Sequence, residues 1–204
     1  LATGAPLGTA FEAVVLAAGL GSRFGGRKLL AAWDDGVLLE GALAAAFAAP
    51  VRSVTVVIGA EGDAIAAAAR AFDPRTLVIH AQDYAEGMAA SLRTGIASLP
   101  ADADGAFIFL GDMPRVPSAV LQRMGEAVAA GAEAAAPVFE GRRGNPVLIA
   151  RSLFPRLLAL TGDAGARGVL QDLGDRLALV ESLDDGVLFD VDVPEDLNRD
   201  LPQA

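Results

Sequence analysis

The chain alternates between unbroken apolar runs and longer alanine-rich stretches, and this alternation predicts its elements. Ala13-Val14-Val15-Leu16 is an apolar run that stops at glycines, the pattern of a strand buried on both faces. Ser53 to Ile58 repeats it with β-branched residues ahead of Gly59. Thr76 to His80 is a shorter run, and Ala106 to Leu110 closes on Gly111 and Asp112. Between them lie stretches of helical length: Val37 to Ala49, halted by Pro50, then Asp63 to Phe72 and Met88 to Leu99. A fourth helix is expected from Ser118, as its cap, to about Ala130.

Strand–helix alternation with apolar strands predicts an α/β fold, a parallel sheet covered on both faces. Past residue 133 the rhythm changes. Ala134 to Phe139 and Asn145 to Ala150 read as two strands joined by a turn at GRRG. Helical pieces follow at Ser152 to Leu160 and Ala164 to Leu173, then strands at Leu177 to Glu181 and Val187 to Val191. PEDLNRDL reads as a final helix with proline in its first turn. With no linker or repeat, residues 12–204 are expected to form a single domain behind a mobile leader at 1–11.

The formal net charge is −10, from 16 basic and 26 acidic side chains, which argues against general nucleic-acid binding. A local basic pocket for one small phosphorylated ligand stays compatible with it. The chain has no cysteine, so thiol nucleophiles, disulfides and thiolate metal sites are excluded. No apolar stretch is long enough to span a membrane, and a cytoplasmic setting is the expectation.

The candidate chemistry starts after the first strand, in LAAGLGSRFGGRKLL. Gly19 and Gly21 begin a dinucleotide fingerprint, but Phe24 stands where its third glycine belongs. Gly21 and Gly26 have P-loop spacing, but Arg27 separates Gly26 from Lys28, and Leu29 replaces the magnesium-binding hydroxyl. Glycines let backbone N–H groups approach phosphate oxygens, while Arg23 and Lys28 add full positive charges. In a parallel sheet this loop shares the carboxyl rim with Asp112 of GDMP, an acid suited either to a hard cation or to a turn.

These residues resemble the signature of the MobA-like nucleotidyltransferases: LAAG, a small residue, Arg, Phe or Met, Gly, and a lysine a few positions on. The resemblance implies a Rossmann-like three-layer αβα sandwich, similar to nucleotide-diphospho-sugar transferases, with a mostly parallel sheet and a late antiparallel portion. It assigns Gly19, Gly21, Arg23 and Lys28 to a triphosphate, and Leu16, Ala17 and Ala18 to the base and ribose. It makes Asp112 a metal ligand, and in FDVDVPEDL it makes Asp192 the second. Val193 departs from the usual threonine there. EGMAASLRTGI resembles the cytidylyltransferase branch, which implies Gly87, Met88, Ser91 and Leu92 at the nucleotide. GRRGNPVLI and GDAGARGVL resemble further elements of that branch and imply Asn145, where most members carry histidine, and Arg167 at the acceptor.

The lone histidine, His80, reads as structural, and Trp33 and Tyr84 have no interpretable partners. Without a nucleophile-and-base pair, the chemistry expected is alignment and charge neutralisation around an acceptor that is already an anion. The resemblance implies magnesium-dependent transfer of CMP from CTP to the terminal phosphate of molybdenum-bearing molybdopterin, with Arg23, Lys28 and Asp112 as catalytic residues. A molybdoenzyme or insertion chaperone would be a transient partner. The alternatives are a sugar, polyol or choline phosphate as acceptor, GTP-dependent guanylyl transfer, and a non-catalytic nucleotide-binding regulator or insertion chaperone. Glu61, past the second strand, could mimic the ribose-binding acid of an NAD site.

Overall fold

The computed structural model describes residues 9–19 and 21–198. Its strands are β1 (Phe11–Ala17), β2 (Ala32–Trp33), β3 (Gly36–Val37), β4 (Val54–Ile58) and β5 (Leu77–His80). These are followed by β6 (Gly105–Leu110), β7 (Ala134–Phe139), β8 (Arg142–Arg143), β9 (Val147–Ala150) and β10 (Leu177–Glu181). The helices are α1 (Leu38–Ala48), α2 (Gly62–Phe72), α3 (Met88–Ala97), α4 (Ser118–Ala129), α5 (Phe154–Leu158) and α6 (Arg167–Gln171). The main sheet runs β10-β7-β9-β6-β1-β4-β5, with β8 beside β7, and β2 and β3 form a separate hairpin. β1 pairs in parallel with both β4 and β6, while β9 is antiparallel to β6 and β7. The expected mostly parallel sheet with a late antiparallel portion is therefore what forms.

Alternation along β1 explains why it reads as a continuous apolar run. Phe11, Ala13, Val15 and Ala17 enter one core, with side chains of α1, α2 and α4. Val14 enters the other, with Leu92 and Ile96 of α3 and with residues of α5 and α6. Both faces of the strand are thereby dry, which is what makes polar positions intolerable in it. One buried exception stands at the amino end. Glu12 accepts from Arg52 Nε at 2.7 Å and from Ser53 Oγ at 2.6 Å, so its carboxylate is paired as well as buried.

The order of strands puts the ligand-binding rim in a definite place. The chain leaves β1 toward β4 and β5 on one side and returns to β6 on the other. Such a reversal opens a crevice at the carboxyl end of the central strand. Leu16 is level with Leu110, and the Gly111 N–H donates to the Leu16 carbonyl at 3.0 Å. The glycine loop and Asp112 consequently leave the sheet side by side.

Several expectations shift. β1 starts at Phe11, which is 1% exposed, and the Ala10 N–H donates to Asp104, so folded chain begins before the expected end of the leader. Residues 1–8 of that leader lie outside the described residues. Ser118 is the first residue of α4 rather than its cap; Pro117 precedes the helix in extended conformation and no side chain caps it. Val187–Val191 is not a strand. Asp184 Oδ1 accepts from the Gly186 N–H at 2.9 Å and starts a tight helical turn over Asp185–Leu188. Phe189 and Val191 then pack on Leu38 instead of joining the sheet. The final helix is a 3₁₀ segment at Pro194–Asn198, and the rest of that expectation lies outside the described residues. The β2–β3 hairpin was not anticipated.

α3 lies close to the sheet because position 95 is glycine. A Cβ there would come within 2.5 Å of Val14 Cγ1 and 3.1 Å of Val57 Cγ2. In an open helix, Gly→Ala would stabilise by about 1 kcal/mol. Here overpacking sets the sign: Gly95→Ala is expected to lower urea-unfolding stability by about 1–3 kcal/mol. A neutral or stabilising result would contradict this packing.

Candidate active site

The glycine loop is a succession of left-handed backbone positions. Gly21 has φ 57°, Gly25 and Gly26 have φ 90° and 94°, and Arg27 has φ 53°. These bends separate two short 3₁₀ turns, Ser22–Phe24 and Lys28–Leu30. Gly21 is also a close approach: a Cβ on it would lie 3.1 Å from Lys28 Cβ. The loop thus folds back on itself and brings Lys28 under the ends of β1 and β6. Leu20 lies outside the described residues.

Lys28 is the centre of a charged cluster. Its Nζ is 2.7 Å from Asp112 Oδ2 and 3.5 Å from Asp192 Oδ1. Arg23 Nη1 reaches the other oxygen of Asp192 at 2.9 Å. The Lys28 side chain is only 12% exposed, whereas that of Arg23 is 77% exposed. Coulombic pairing is accordingly stronger for the buried lysine than for the solvated arginine. Asp190 faces the same cluster. Burial raises its carboxyl above the ordinary range, and the charges of Asp192 and Asp112 raise it further. Among the described residues, no group of three or more His, Cys, Asp or Glu side chains forms a metal cage.

The carboxyl-terminal segment is held to this cluster by contacts that sequence reasoning missed. The Val191 N–H donates to the Asp112 carbonyl at 3.1 Å. Asp196 is buried, and its Oδ2 accepts from the Asp192 and Val193 N–H groups at 2.9 and 3.0 Å. Leu38, Phe189 and Val191 form a small core with Phe24, Leu29, Trp33 and Leu197 against it. Trp33 meets Phe189 with ring centres 5.8 Å apart, and the Arg115 guanidinium covers both rings. This core joins the glycine loop, the β2–β3 hairpin and the strap that carries Asp192. Its aromatic and apolar members are spaced too irregularly along the chain to signal one another.

Two contiguous cavities open at this rim. One, of about 380 Å³, is lined by Leu16, Ala17, Ala18, Gly19, Gly21 and Lys28. Gly87, Met88, Ser91 and Asp112 complete its far wall. Arg23 does not line it, and Leu92 lines the second cavity instead. That second cavity, of about 510 Å³, is lined by Asn145 and Arg167, with Arg143 and Gly144 beside them. Leu16, Met88, Leu110 and Asp163 line both cavities. Asp192 lines neither, but touches Lys28 from outside the wall.

Tyr84 and Asp163 are wall residues that sequence reasoning did not assign. Tyr84 packs on Gly59, where a Cβ would lie 2.6 Å from its ring, and meets His80 edge-on at 6.2 Å. His80 therefore supports the wall of the site and has no contact with the charged cluster. Asp163 approaches Gly87 so closely that a Cβ there would lie 2.5 Å from its Oδ1. Gly87 has φ 116°, so both its backbone and its neighbour require glycine. The Ala89 N–H also donates to the Gly162 carbonyl at 3.0 Å, fastening this loop to the start of α3. Glu61 has a left-handed φ of 57° and shapes the turn into α2.

Comparison with known proteins agrees with this architecture. A family model described as the MobA-like NTP transferase domain matches residues 13–177. Molybdenum cofactor cytidylyltransferase of Escherichia coli (strain K12) is 25% identical over 188 residues, covering 92% of this chain and 94% of that protein. Nicotine blue oxidoreductase of Paenarthrobacter nicotinovorans is 29% identical over 194 residues, covering 91% and 94%. Among solved structures, Rv0371c from Mycobacterium tuberculosis H37Rv has a TM-score of 0.81 at 32% identity, covering 94% of this chain and 96% of that one. A structure of Rv0371c in complex with manganese gives 0.77 at 30% identity, covering 94% and 97%.

Asp196 offers a test of how the Asp192 strap is held. Asp196→Ala strands two N–H groups and is expected to cost about 1–3 kcal/mol of unfolding stability. Asp196→Asn keeps an acceptor oxygen and should recover most of the loss. Equal stability of the alanine variant and the native protein would remove Asp196 from this role.

Proposed function

The chain belongs to the MobA-like NTP transferase family and is a nucleotidyltransferase, and from that premise we propose that it transfers CMP from CTP to the terminal phosphate of molybdenum-bearing molybdopterin. The products are molybdopterin cytosine dinucleotide and pyrophosphate. The observation that carries this reading is Lys28, drawn into a cleft wall between two carboxylates beside a glycine loop. Residues 12–204 act on this reading as one nucleotidyltransferase domain, in a cytoplasmic setting. Among the described residues no helix is long and apolar enough to cross a membrane.

In the proposed reaction an oxygen of the acceptor phosphate attacks the α-phosphorus of CTP. The bond from that phosphorus to the bridging oxygen breaks, and pyrophosphate leaves with the electron pair. The nucleophile is already an anion, so no side chain has to remove a proton, consistent with a cluster built of lysine, arginine and aspartates. Lys28 and Arg23 neutralise the triphosphate, and the loop N–H groups orient it. Leu16, Ala17 and Ala18 flank the base and ribose, with Gly87, Met88 and Ser91 opposite. Leu92 serves the acceptor side of the same helix, where Asn145 and Arg167 hold the second substrate.

Asp112 and Asp192 fit a divalent ion such as magnesium. Both carboxylates already converge on one cation, Lys28. Magnesium is commonly held by only one or two protein carboxylates, so this pair would suffice to hold it. When bound, the ion supplies neutralisation of the developing charge on the phosphate oxygens.

The base and acceptor are the finer parts of this reading. Resemblance of EGMAASLRTGI and GDAGARGVL to the cytidylyltransferase branch supports them, as does the named activity of the Escherichia coli relative. Pyrophosphate release is expected with CTP, magnesium and the molybdenum cofactor, and not with GTP. Lys28→Ala and Asp112→Asn are each expected to lower kcat on the order of 10²–10³-fold. Turnover with GTP alone, or with a sugar, polyol or choline phosphate but not the cofactor, would contradict the base or the acceptor. Consumption of NADH or NADPH without pyrophosphate release would contradict the transferase chemistry here.

A further inference from the structure

Several arginines in this protein are already neutralised. Arg23, Arg52, Arg75, Arg93, Arg156 and Arg176 each pair with a carboxylate. Arg143 and Arg167 do not: among the described residues neither takes part in an ion pair, and both line the larger cavity. The chain carries 26 acidic side chains against 16 basic ones, yet among the described residues these two arginines line the same cavity without an acidic partner. One carboxylate, that of Asp163, shares the wall with them, and its Oδ1 lies toward Gly87.

The backbone that carries Arg143 is clamped. β8 pairs with β7, with Arg143 level with Val138. The next residue, Gly144, donates its N–H to the Pro137 carbonyl at 2.8 Å. A Cβ on Gly144 would lie 2.1 Å from the Val187 carbonyl oxygen, so the chain passes through a gap that only glycine clears. The Asn145 N–H donates to that same carbonyl at 2.9 Å. Arg167 comes from a different element, the start of α6. The same cavity has an apolar lining from Leu92, Ile108, Val147 and Leu170. A low-dielectric lining strengthens charge–charge attraction beside it, and guanidinium forks match the oxygen spacing of a phosphate.

We infer that Arg143 and Arg167 form a two-guanidinium clamp for a phosphomonoester dianion whose apolar body rests on Leu92, Ile108, Val147 and Leu170. Arg143 is a binding residue contributed by β8 and acts with Arg167 rather than through it. That the clamped molecule is the acceptor rests on the transferase reading above; the clamp itself does not.

Phenyl phosphate is a suitable probe, since it combines a ring with a phosphomonoester and is neither substrate. Calorimetric titration should show wild type binding phenyl phosphate but not phenol. Arg143→Gln and Arg167→Gln should each weaken that binding roughly tenfold or more, as expected for loss of a hydrogen bond to a charged group. Arg143→Lys should fall between, and melting temperatures should not move. Lys28→Met should leave phenyl phosphate binding unchanged, since Lys28 lines the other cavity. In turnover, Arg143→Gln should raise KM for the acceptor and leave KM for CTP as it was. The inference is overturned if wild type does not bind the probe, if Arg143→Gln binds it as wild type does, or if only Lys28→Met weakens it. Weakened probe binding together with no CMP transfer to molybdopterin would uphold the clamp and reject the proposed acceptor.

Discussion

The nucleotidyl transfer proposed for this protein depends on one lysine ammonium held between two carboxylates. Lys28 meets Asp112 at 2.7 Å and Asp192 at 3.5 Å, and the three residues come from three distant parts of the chain. Asp112 is placed by β6, whose register with β1 sets it beside the glycine loop. Lys28 is placed by the left-handed turns of that loop. Asp192 is placed by neither sheet nor helix, but by Asp196 and by the small core around Leu38, Phe189 and Val191. Removing the loop turns or the strap's supports would cost the cluster a member without touching the strand pairing of the sheet.

That separation explains how a rigid scaffold can carry an exchangeable site. The two large cores lie on either face of the sheet and account for its order. The third, small core joins the loop, the hairpin and the strap to the first residue of α1. Charge in the cluster is largely offset within the protein, with Arg23 and Lys28 against Asp112 and Asp192 and Asp190 beside them. An arriving triphosphate would compete with the carboxylates for these cations, and a divalent ion would compete with the cations for the carboxylates. Each ligand therefore releases the groups the other needs. This coupling is a physical rationale for nucleotide and metal arriving together.

Much of the frame was legible because both faces of each central strand are buried. Val14 and Val15 point into different cores, and that is why the run is apolar without a gap. The wall residues Leu16, Ala17, Ala18, Gly19, Gly21, Gly87, Met88 and Ser91 follow from their position at strand and helix ends, together with family resemblance. Trp33 was opaque because its partners, Phe189 and Arg115, are far away in sequence and share no period with it. Val187–Val191 was misread for a related reason: an apolar run broken only by Asp190 fits a strand, but after a turn started by Asp184, Val187 enters a large core and Phe189 and Val191 the small one. Tyr84 and Asp163 escaped notice because each acts by filling the space left by a glycine, Gly59 or Gly87, which no spacing rule encodes.

The most direct measurement is a manganese titration of the nucleotide-free protein, followed by electron paramagnetic resonance. If Lys28 occupies the place where a cation would sit between Asp112 and Asp192, Lys28→Met should bind manganese more tightly than wild type. Adding Asp112→Asn to that variant should abolish the gain. Manganese binding that is unchanged or weaker in Lys28→Met, or that persists without Asp112, would contradict the assignment of these carboxylates as the metal site.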